Sequence, residues 1–384
     1  MTETGESDWD QYAPEVLADQ IAAYDRMRRQ CPVAYDVSGN WAVFRHADVV
    51  RVLDEHHTFS NVVSRHVAVP NGMDPPQHTA FRAIVDRYFT ADRMIALEPV
   101  VRAIAAEMID GLPRGEDVEA MAALAEPYAS RAQCGFMGWP EALHERMQRW
   151  TKDNHAATHA QDREAMSAVA SAFDGHIREQ LEARRAAGSD APDDPTTELL
   201  SDQVDGRAIT DAEIVSIVRN WTVGELATIA ASVGIILHYL ATHPDVQQRL
   251  RADVSLIERA TDEILRMRAP LVANRRRTTR TAGLGARTIP AREPVMVVWA
   301  SANRDEEVFG DPDLFDLDRD LRLNLLYGRG IHVCPGAPLA RLELRVIVEQ
   351  LFADTTDIGP AADACATNAV YPASGFATLP LRFA

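Results

Sequence analysis

Tyr327-Gly328-Arg329-Gly330-Ile331-His332-Val333-Cys334-Pro335-Gly336 decides the reading of this chain. Three glycines surround a single cysteine, and a helical pattern follows from Leu339 to Leu351. Glycine permits the positive φ and the close backbone approach that a Cβ would block. A helix start behind the loop supplies free N–H groups and positive potential, which favour a thiolate over a thiol. Such a loop brings its backbone close to a large flat ligand while aiming one sulfur at it. A rival reading makes His332 and Cys334 half of a zinc site, which needs a second Cys/His pair at ligand spacing. Cys31, Cys134 and Cys365 are scattered singly, so that pair is missing.

Thiolate ligation of haem iron is the chemistry that uses this arrangement, because the thiolate pushes electron density onto the iron and assists O–O cleavage. The stretch resembles the haem-binding loop of the cytochrome P-450 superfamily, Phe-Gly-x-Gly-x-His-x-Cys-x-Gly. Only Tyr327 departs, standing where the family has phenylalanine. The resemblance implies haem b (iron protoporphyrin IX) with Cys334 as axial ligand. It also implies cofactor contacts at Gly328 and Gly336, and a propionate donor at His332.

Further motifs follow in family order. Glu263-Ile-Leu-Arg266 is an i,i+3 pair on a helix from about Ser255 to Arg268. Alone it reads as a surface ion pair. About 70 residues before the cysteine loop it resembles the family's Glu-x-x-Arg, and Arg319 in Phe315-Asp-Leu-Asp-Arg319 matches the third member. The three imply a partly buried ion network bracing the loop. His78 and Arg82, at i,i+4 on one helix face, resemble the family's His-x-x-x-Arg helix and imply propionate contacts. Arg276 in Asn274-Arg-Arg-Arg-Thr278 is the best match to the propionate arginine. Arg275 and Arg277 compete, but neighbours in a strand face opposite sides.

The segment Trp221-Thr-Val-Gly-Glu-Leu-Ala-Thr228 lies in a long helix where the family usually has Ala-Gly-x-(Asp/Glu)-Thr. Aligned on Gly224, the acid Glu225 falls one place early and Thr228 one place late. At i,i+3 they still share a face, and a π-bulge would absorb the offset. The resemblance implies that Glu225 holds water for proton delivery and Thr228 hydrogen-bonds iron-bound oxygen. Thr222 is a second candidate hydroxyl.

The rest of the sequence bounds this reading. The 384 residues, 46% hydrophobic, hold ample core and show no clean linker, which points to a single haem domain over 1–384. A net charge of −18 argues against nucleic acid and acidic membrane surfaces. Unpaired cysteines, a polar acidic N-terminus and no uninterrupted apolar run of about 20 residues predict a soluble cytoplasmic protein without a membrane span.

The expected fold is mainly α with small β-sheets, the cytochrome P-450 fold. A helix is expected from Pro14 to Arg29, then a hairpin of Val33–Asp36 and Asn40–Phe44 around Ser38-Gly39. Helical patterns cover Ala47–Glu55, Gln77–Phe89, Ala91–Asp110, much of Glu119–Gly135, Pro140–Ala157 and Asp162–Ala187. A loop spans 186–196. Thr210-x-x-Glu213 is a capping-box signature, and the helix it opens runs to about Thr242, where Pro244 stops it. Its apolar residues lie on all sides, so it is expected to be central and buried. Strands are expected at Val272–Thr278, Thr288–Ile289, Pro294–Trp299 and after Tyr371.

Together these readings predict a bacterial-type haem-thiolate monooxygenase that puts one oxygen atom of O2 into a small apolar organic substrate. Hydroxylation and O-dealkylation both fit. The chain holds no flavin or iron–sulfur domain, so electrons are expected from a separate ferredoxin or flavodoxin with its reductase, docking on a basic face of Arg82, Arg87, Arg329 and Arg345. Pocket residues are expected near Asn61–Val69, before Glu225, at Leu271–Ala273 and at Ala373–Phe376. Two alternatives stand beside this: the same fold as a peroxide-driven or radical-coupling enzyme, and a non-catalytic haem-binding sensor.

Overall fold

The computed structural model describes residues 7–64 and 67–384. Most of the first eight residues, read above as the acidic start, and Arg65 and His66 of the Asn61–Val69 segment lie outside the described residues.

The central helix organises the chain. It spans Asp211–Thr242, and Thr210 caps it with the reciprocal bonds to Glu213 that its sequence predicts. At about 1.5 Å per residue, its 32 residues measure roughly 48 Å. Ile217, Val218, Val233, Leu237, Gly234 and Ala231 are all buried, on every side of the axis. Among the described residues it alone is long and apolar enough to cross a membrane, and it is mostly buried within the protein. Trp221 meets Tyr88, Phe89 and Phe136 at ring-centroid distances of 5.1, 5.4 and 5.8 Å. Gly234 permits another close approach: a Cβ there would lie 2.5 Å from Met121 Sδ.

The predicted hairpin forms, with Val33–Tyr35 antiparallel to Trp41–Val43. Trp41–Val43 runs parallel to Pro294–Val298, which pairs antiparallel with Ala273–Thr278. Phe59–Ser60 closes this five-stranded sheet. The short strands Phe59–Ser60 and Asp117–Glu119 are additions to the sequence reading. They are too short to show a period of two.

Two helical expectations need correction. The expected first helix is broken into Pro14–Ala18 and Gln20–Gln30, because Asp19 leaves helical geometry and caps the second piece through Ala22 N–H. The segment read as helix from Glu119 begins as a strand end and a π-turn, Met121–Ala125, before the α-helix Glu126–Met137. The π geometry expected beside Glu225 is therefore found elsewhere, and Asp211–Thr242 is α-helical throughout.

The helix Ala337–Asp354 starts directly behind the cysteine loop and packs against Ala91–Asp110 and the central helix. Thr210→Ala should cost about 1 kcal/mol by removing the cap of the central helix. A chemical denaturation curve should show a lower midpoint with an unchanged slope.

Candidate haem site

The loop folds by its glycines. Gly328 and Gly330 have φ of +74° and +72°. At Gly330 a Cβ would approach Leu53 O to 2.7 Å, so this glycine is the more constrained of the two. Gly336 has φ −79° and serves as the residue before the helix. Cys334 N–H donates to Tyr327 O at 2.7 Å, closing the turn. The sulfur is exposed to an internal space rather than packed. Burial raises its pKa, while N–H groups of Gly336 and Ala337 at the helix start donate to it and oppose that shift.

Above this sulfur the chain leaves polar groups unmatched. His78 and His332 meet edge to face at 4.2 Å, and the Nε2 of each is buried without a partner. The pKa of His332 is pushed down to about 3 by burial and then by His78, Arg276 and Arg82. Arg276 is the buried arginine of its strand, with Arg275 and Arg277 exposed on the other face. Its one hydrogen bond goes to Arg275 O, and burial lowers its pKa to about 10. Two imidazoles and a guanidinium converge here; Asp74 acts on His78 and Arg276 by its charge, but no carboxylate among the described residues accepts a hydrogen bond from the three, which suits an anion.

Arg82 has partners within the protein as well. It donates to Val333 O at 2.6 Å and Ile331 O at 3.2 Å, and pairs with Asp86 at 2.6 Å. Its guanidinium is engaged in holding the cysteine loop. The expected basic face is also neutralised residue by residue. Arg87 pairs with Asp202, Arg329 with Asp54, and Arg345 with Glu98 and Glu349.

The wall opposite Cys334 is the central helix. Space around Gly224 is open, with no atom within 4 Å of a Cβ built there. Thr228 is half-buried and donates to Gly224 O and to Glu225 O. It meets the backbone of Glu225, not its carboxyl. Thr222 is fully buried, donating to Val218 O and accepting from Gln133, and so has no hydroxyl to spare for the pocket.

Glu225 is buried and its carboxyl reaches Glu343 on the helix behind the cysteine loop. Burial raises the pKa of Glu225 to about 7. Glu343, wholly buried, is pushed well above the ordinary range by burial and by Glu225. Glu343 was missed in the sequence. Its signal is an acid within the apolar stripe of Leu339, Leu342, Val346 and Ile347, where an i,i+3/i+4 pattern calls for a hydrocarbon.

Glu263, Arg266 and Arg319 form one ion network. Glu263 accepts from Arg266 Nε at 2.7 Å and from Arg319 Nε at 2.8 Å. Arg266 also donates to Asn303 O and Pro312 O, and Arg319 to Phe309 O, Asp311 O and Leu314 O. The pair Glu263 and Arg266 is 3% and 1% exposed, so no water substitutes for a lost partner. Tyr327 is braced through its ring, while its buried hydroxyl has no hydrogen-bond partner among the described residues. Its hydroxyl faces Asp262, Arg341 stacks over its ring at 4.6 Å, and Arg341 pairs with Asp262 at 2.9 Å.

A sequence model of the cytochrome P-450 family matches residues 143–354. The chain is 32% identical over 343 residues to the cyclomarin C epoxidase CymV of Salinispora arenicola, covering 85% of this chain and 86% of that one. It is 33% identical over 354 residues to the erythromycin C-12 hydroxylase of Saccharopolyspora erythraea, covering 88% of each. The solved structure of a cytochrome P-450 from Chondromyces apiculatus, CYP109Q5, superposes with a TM-score of 0.86 at 33% identity over 98% of each chain. The chain belongs to the cytochrome P-450 family of oxidoreductases. The family's prosthetic group is haem b held by a cysteine thiolate.

The residues present fit that group: one sulfur at a helix start, an open space beneath Gly224, and unmatched donors where two propionates would lie. The haem would supply oxygen activation, and the chain supplies its anchorage. Glu263→Ala should destabilise the fold by about 3–5 kcal/mol, since it leaves two guanidiniums without their anion. Haem content per folded chain and a urea midpoint both check this. Full loading with a wild-type midpoint would mean that the network supports neither the fold nor the cysteine loop.

Proposed function

We propose that the protein is a monooxygenase that inserts one oxygen atom from O2 into a small organic substrate, with electrons arriving from a separate ferredoxin or flavodoxin system in the cytoplasm. The observation that carries this is the single thiolate-forming side chain, Cys334, facing a space lined with unmatched propionate-type donors. The relatives are named as hydroxylases and epoxidases, which supports oxygen insertion over a sensor role.

In this reading Cys334 is the axial ligand. His78, His332 and Arg276 hold the propionates, and Arg82 fixes the loop carbonyls. Glu263, Arg266 and Arg319 brace the segment that leads into the loop. Glu225 is the proton-holding acid, and Thr228 is the hydroxyl on the open side of the central helix.

Substrate space is supported by a cavity of about 370 Å³ on the flank of the central helix. One wall is apolar: Leu226, Ala227, Ala230, Ala231 and the turn with Pro372 and Phe376. The other is a polar stripe of the helix His144–His159, carrying Gln148, Lys152, His155 and His159. An apolar body with one polar end fits these walls, a refinement of the small apolar substrate expected from sequence. Shifts of the haem Soret band should therefore be larger with dodecanoic acid than with dodecane.

Two substitutions test the core of the proposal. Cys334→Ser should lose the red-shifted ferrous–carbon monoxide band that a thiolate ligand produces, and a mutant that keeps the band assigns the ligand elsewhere. Thr228→Ala should keep substrate binding, because the pocket volume barely changes, and divert electrons from product to hydrogen peroxide. Unchanged coupling would favour the peroxide-driven alternative.

A further inference from the structure

We propose that Lys152 selects the substrate: it binds the carboxylate of an amphipathic organic acid in the cavity beside the central helix, and so leaves the hydrocarbon end to be oxidised. This rests on the monooxygenase reading above and deepens it by naming the substrate class and the residue that recognises it.

Of the 39 lysines and arginines of this chain, Lys152 is the only lysine, and it stands on a cavity wall. Gln148, Lys152, His155 and His159 follow one another at steps of four, three and four along the helix His144–His159. They therefore form one stripe, and all four line the cavity. The Lys152 ammonium pairs with Glu126 at 3.0 Å, on the helix Glu126–Met137. An ammonium has three N–H donors, and this pair occupies one of them. Gln148 donates to Ser130 Oγ, and Thr151 donates to Met147 O. Glu126 is the one carboxylate among the lining residues. The wall thus offers more free donors than free acceptors, which suits an anionic head.

The wall favours a carboxylate over a phosphate or an amine. Burial lowers the pKa of His155 against the pull of Glu126, so its ring is neutral at pH 7 and donates without adding charge. One ammonium beside one carboxylate is a weak match for a dianion, and no arginine lines the cavity to grip a phosphate in two places. An amine would have to use Glu126. That side chain is 34% exposed against 62% for Lys152, and it lies in the first turn of its helix, where the N-terminal dipole already offsets its charge.

Position decides where the oxygen lands. The facing wall is apolar, with Leu226, Ala227, Ala230 and Ala231 of the central helix. Ala231 stands seven residues, about two turns, beyond Gly224, so it shares the face on which Gly224 opens. The apolar wall therefore leads on to the space opposite Cys334, while Lys152 belongs to the other wall. A carboxylate held by Lys152 keeps its neighbouring carbons away from that space and presents methylenes further along the chain. There a C–H bond becomes C–OH. One atom of O2 stays in the product, and the other leaves as water with two protons and with two electrons from the ferredoxin or flavodoxin.

Calorimetric titration of the haem-loaded protein at pH 8 tests this with dodecanoic acid, 1-dodecanol, dodecylamine and dodecyl phosphate. The wild type should bind the acid about tenfold more tightly than the alcohol. Lys152→Met should cancel that preference and leave the alcohol unchanged, and Lys152→Arg should keep it. Glu126→Gln should strengthen acid binding, because it removes the competing carboxylate. Each variant should keep the ferrous–carbon monoxide band, which shows an intact haem site. Equal binding of acid and alcohol by the wild type overturns the proposal, as does a preference that survives Lys152→Met. Tightest binding of dodecylamine or of dodecyl phosphate overturns the carboxylate. Product analysis with ferredoxin, its reductase and O2 separates this proposal from the reading beneath it. Acid bound through Lys152 but never oxygenated strikes the monooxygenase reading and leaves the anchor standing. Oxygenated alcohol without any preference for the acid does the reverse. The hydroxyl should sit remote from the carboxyl, and hydroxylation on the carbon beside it overturns the orientation.

Discussion

One carboxylate, Glu263, holds two guanidiniums in the dry interior, and the approach to the cysteine depends on it. Arg266 and Arg319 spend their remaining N–H groups on backbone carbonyls between residues 303 and 314. That segment has little regular structure of its own. Its carbonyls need donors, and that of Asn303 is buried away from water. The arginines provide them, but a buried arginine is tolerable only beside an anion. The network therefore does for an irregular segment what ladder hydrogen bonds do for a sheet. The cysteine loop begins a few residues further on, at Tyr327.

The loop has supports of its own. Arg82 binds two of its carbonyls from one side, and Tyr327 enters a cluster with Asp262 and Arg341 from the other. The tyrosine explains itself here. A phenylalanine at this place would leave the Asp262 oxygen that faces it without a possible donor. Burial and Asp262 raise the pKa of Tyr327, which keeps its hydroxyl protonated and able to donate. Asp262 and Glu263 are neighbours on one helix, so both braces are fixed by the same turn of chain.

Much of this was legible in sequence because it is local. The Thr210–Glu213 box, the stop before Pro244 and the hairpin at Ser38-Gly39 are written in residues a few places apart. Arg276 was separable from its neighbours because strand alternation is strict. What escaped is non-local. Glu225 and Glu343 are 118 positions apart, and neither alone announces that it meets the other. The contact of Arg82 with the cysteine loop escaped for the same reason, since the carbonyls it serves belong to a loop about 250 residues later. Asp19 broke a helix because its side chain offers a cap in place of a continued turn, and propensity weighs that choice poorly.

The charge balance of the site follows from these placements. The chain carries −18 overall, yet arginines outside the haem site are matched with carboxylates again and again. Around the sulfur the matching stops. His78 and Arg276 feel the charge of Asp74 but hydrogen-bond to no carboxylate among the described residues, and burial and mutual repulsion lower the pKa of His332. Without an anion such a cluster is unfavourable. A cofactor bearing two carboxylates would reverse each of those terms at once, raising the imidazole pKa values and satisfying the orphaned nitrogens. The same burial that disfavours a free thiolate at Cys334 would favour its bond to a cationic iron. The folded chain is in this sense incomplete by design of its charges, and its missing partner must be anionic at one edge and cationic at its centre.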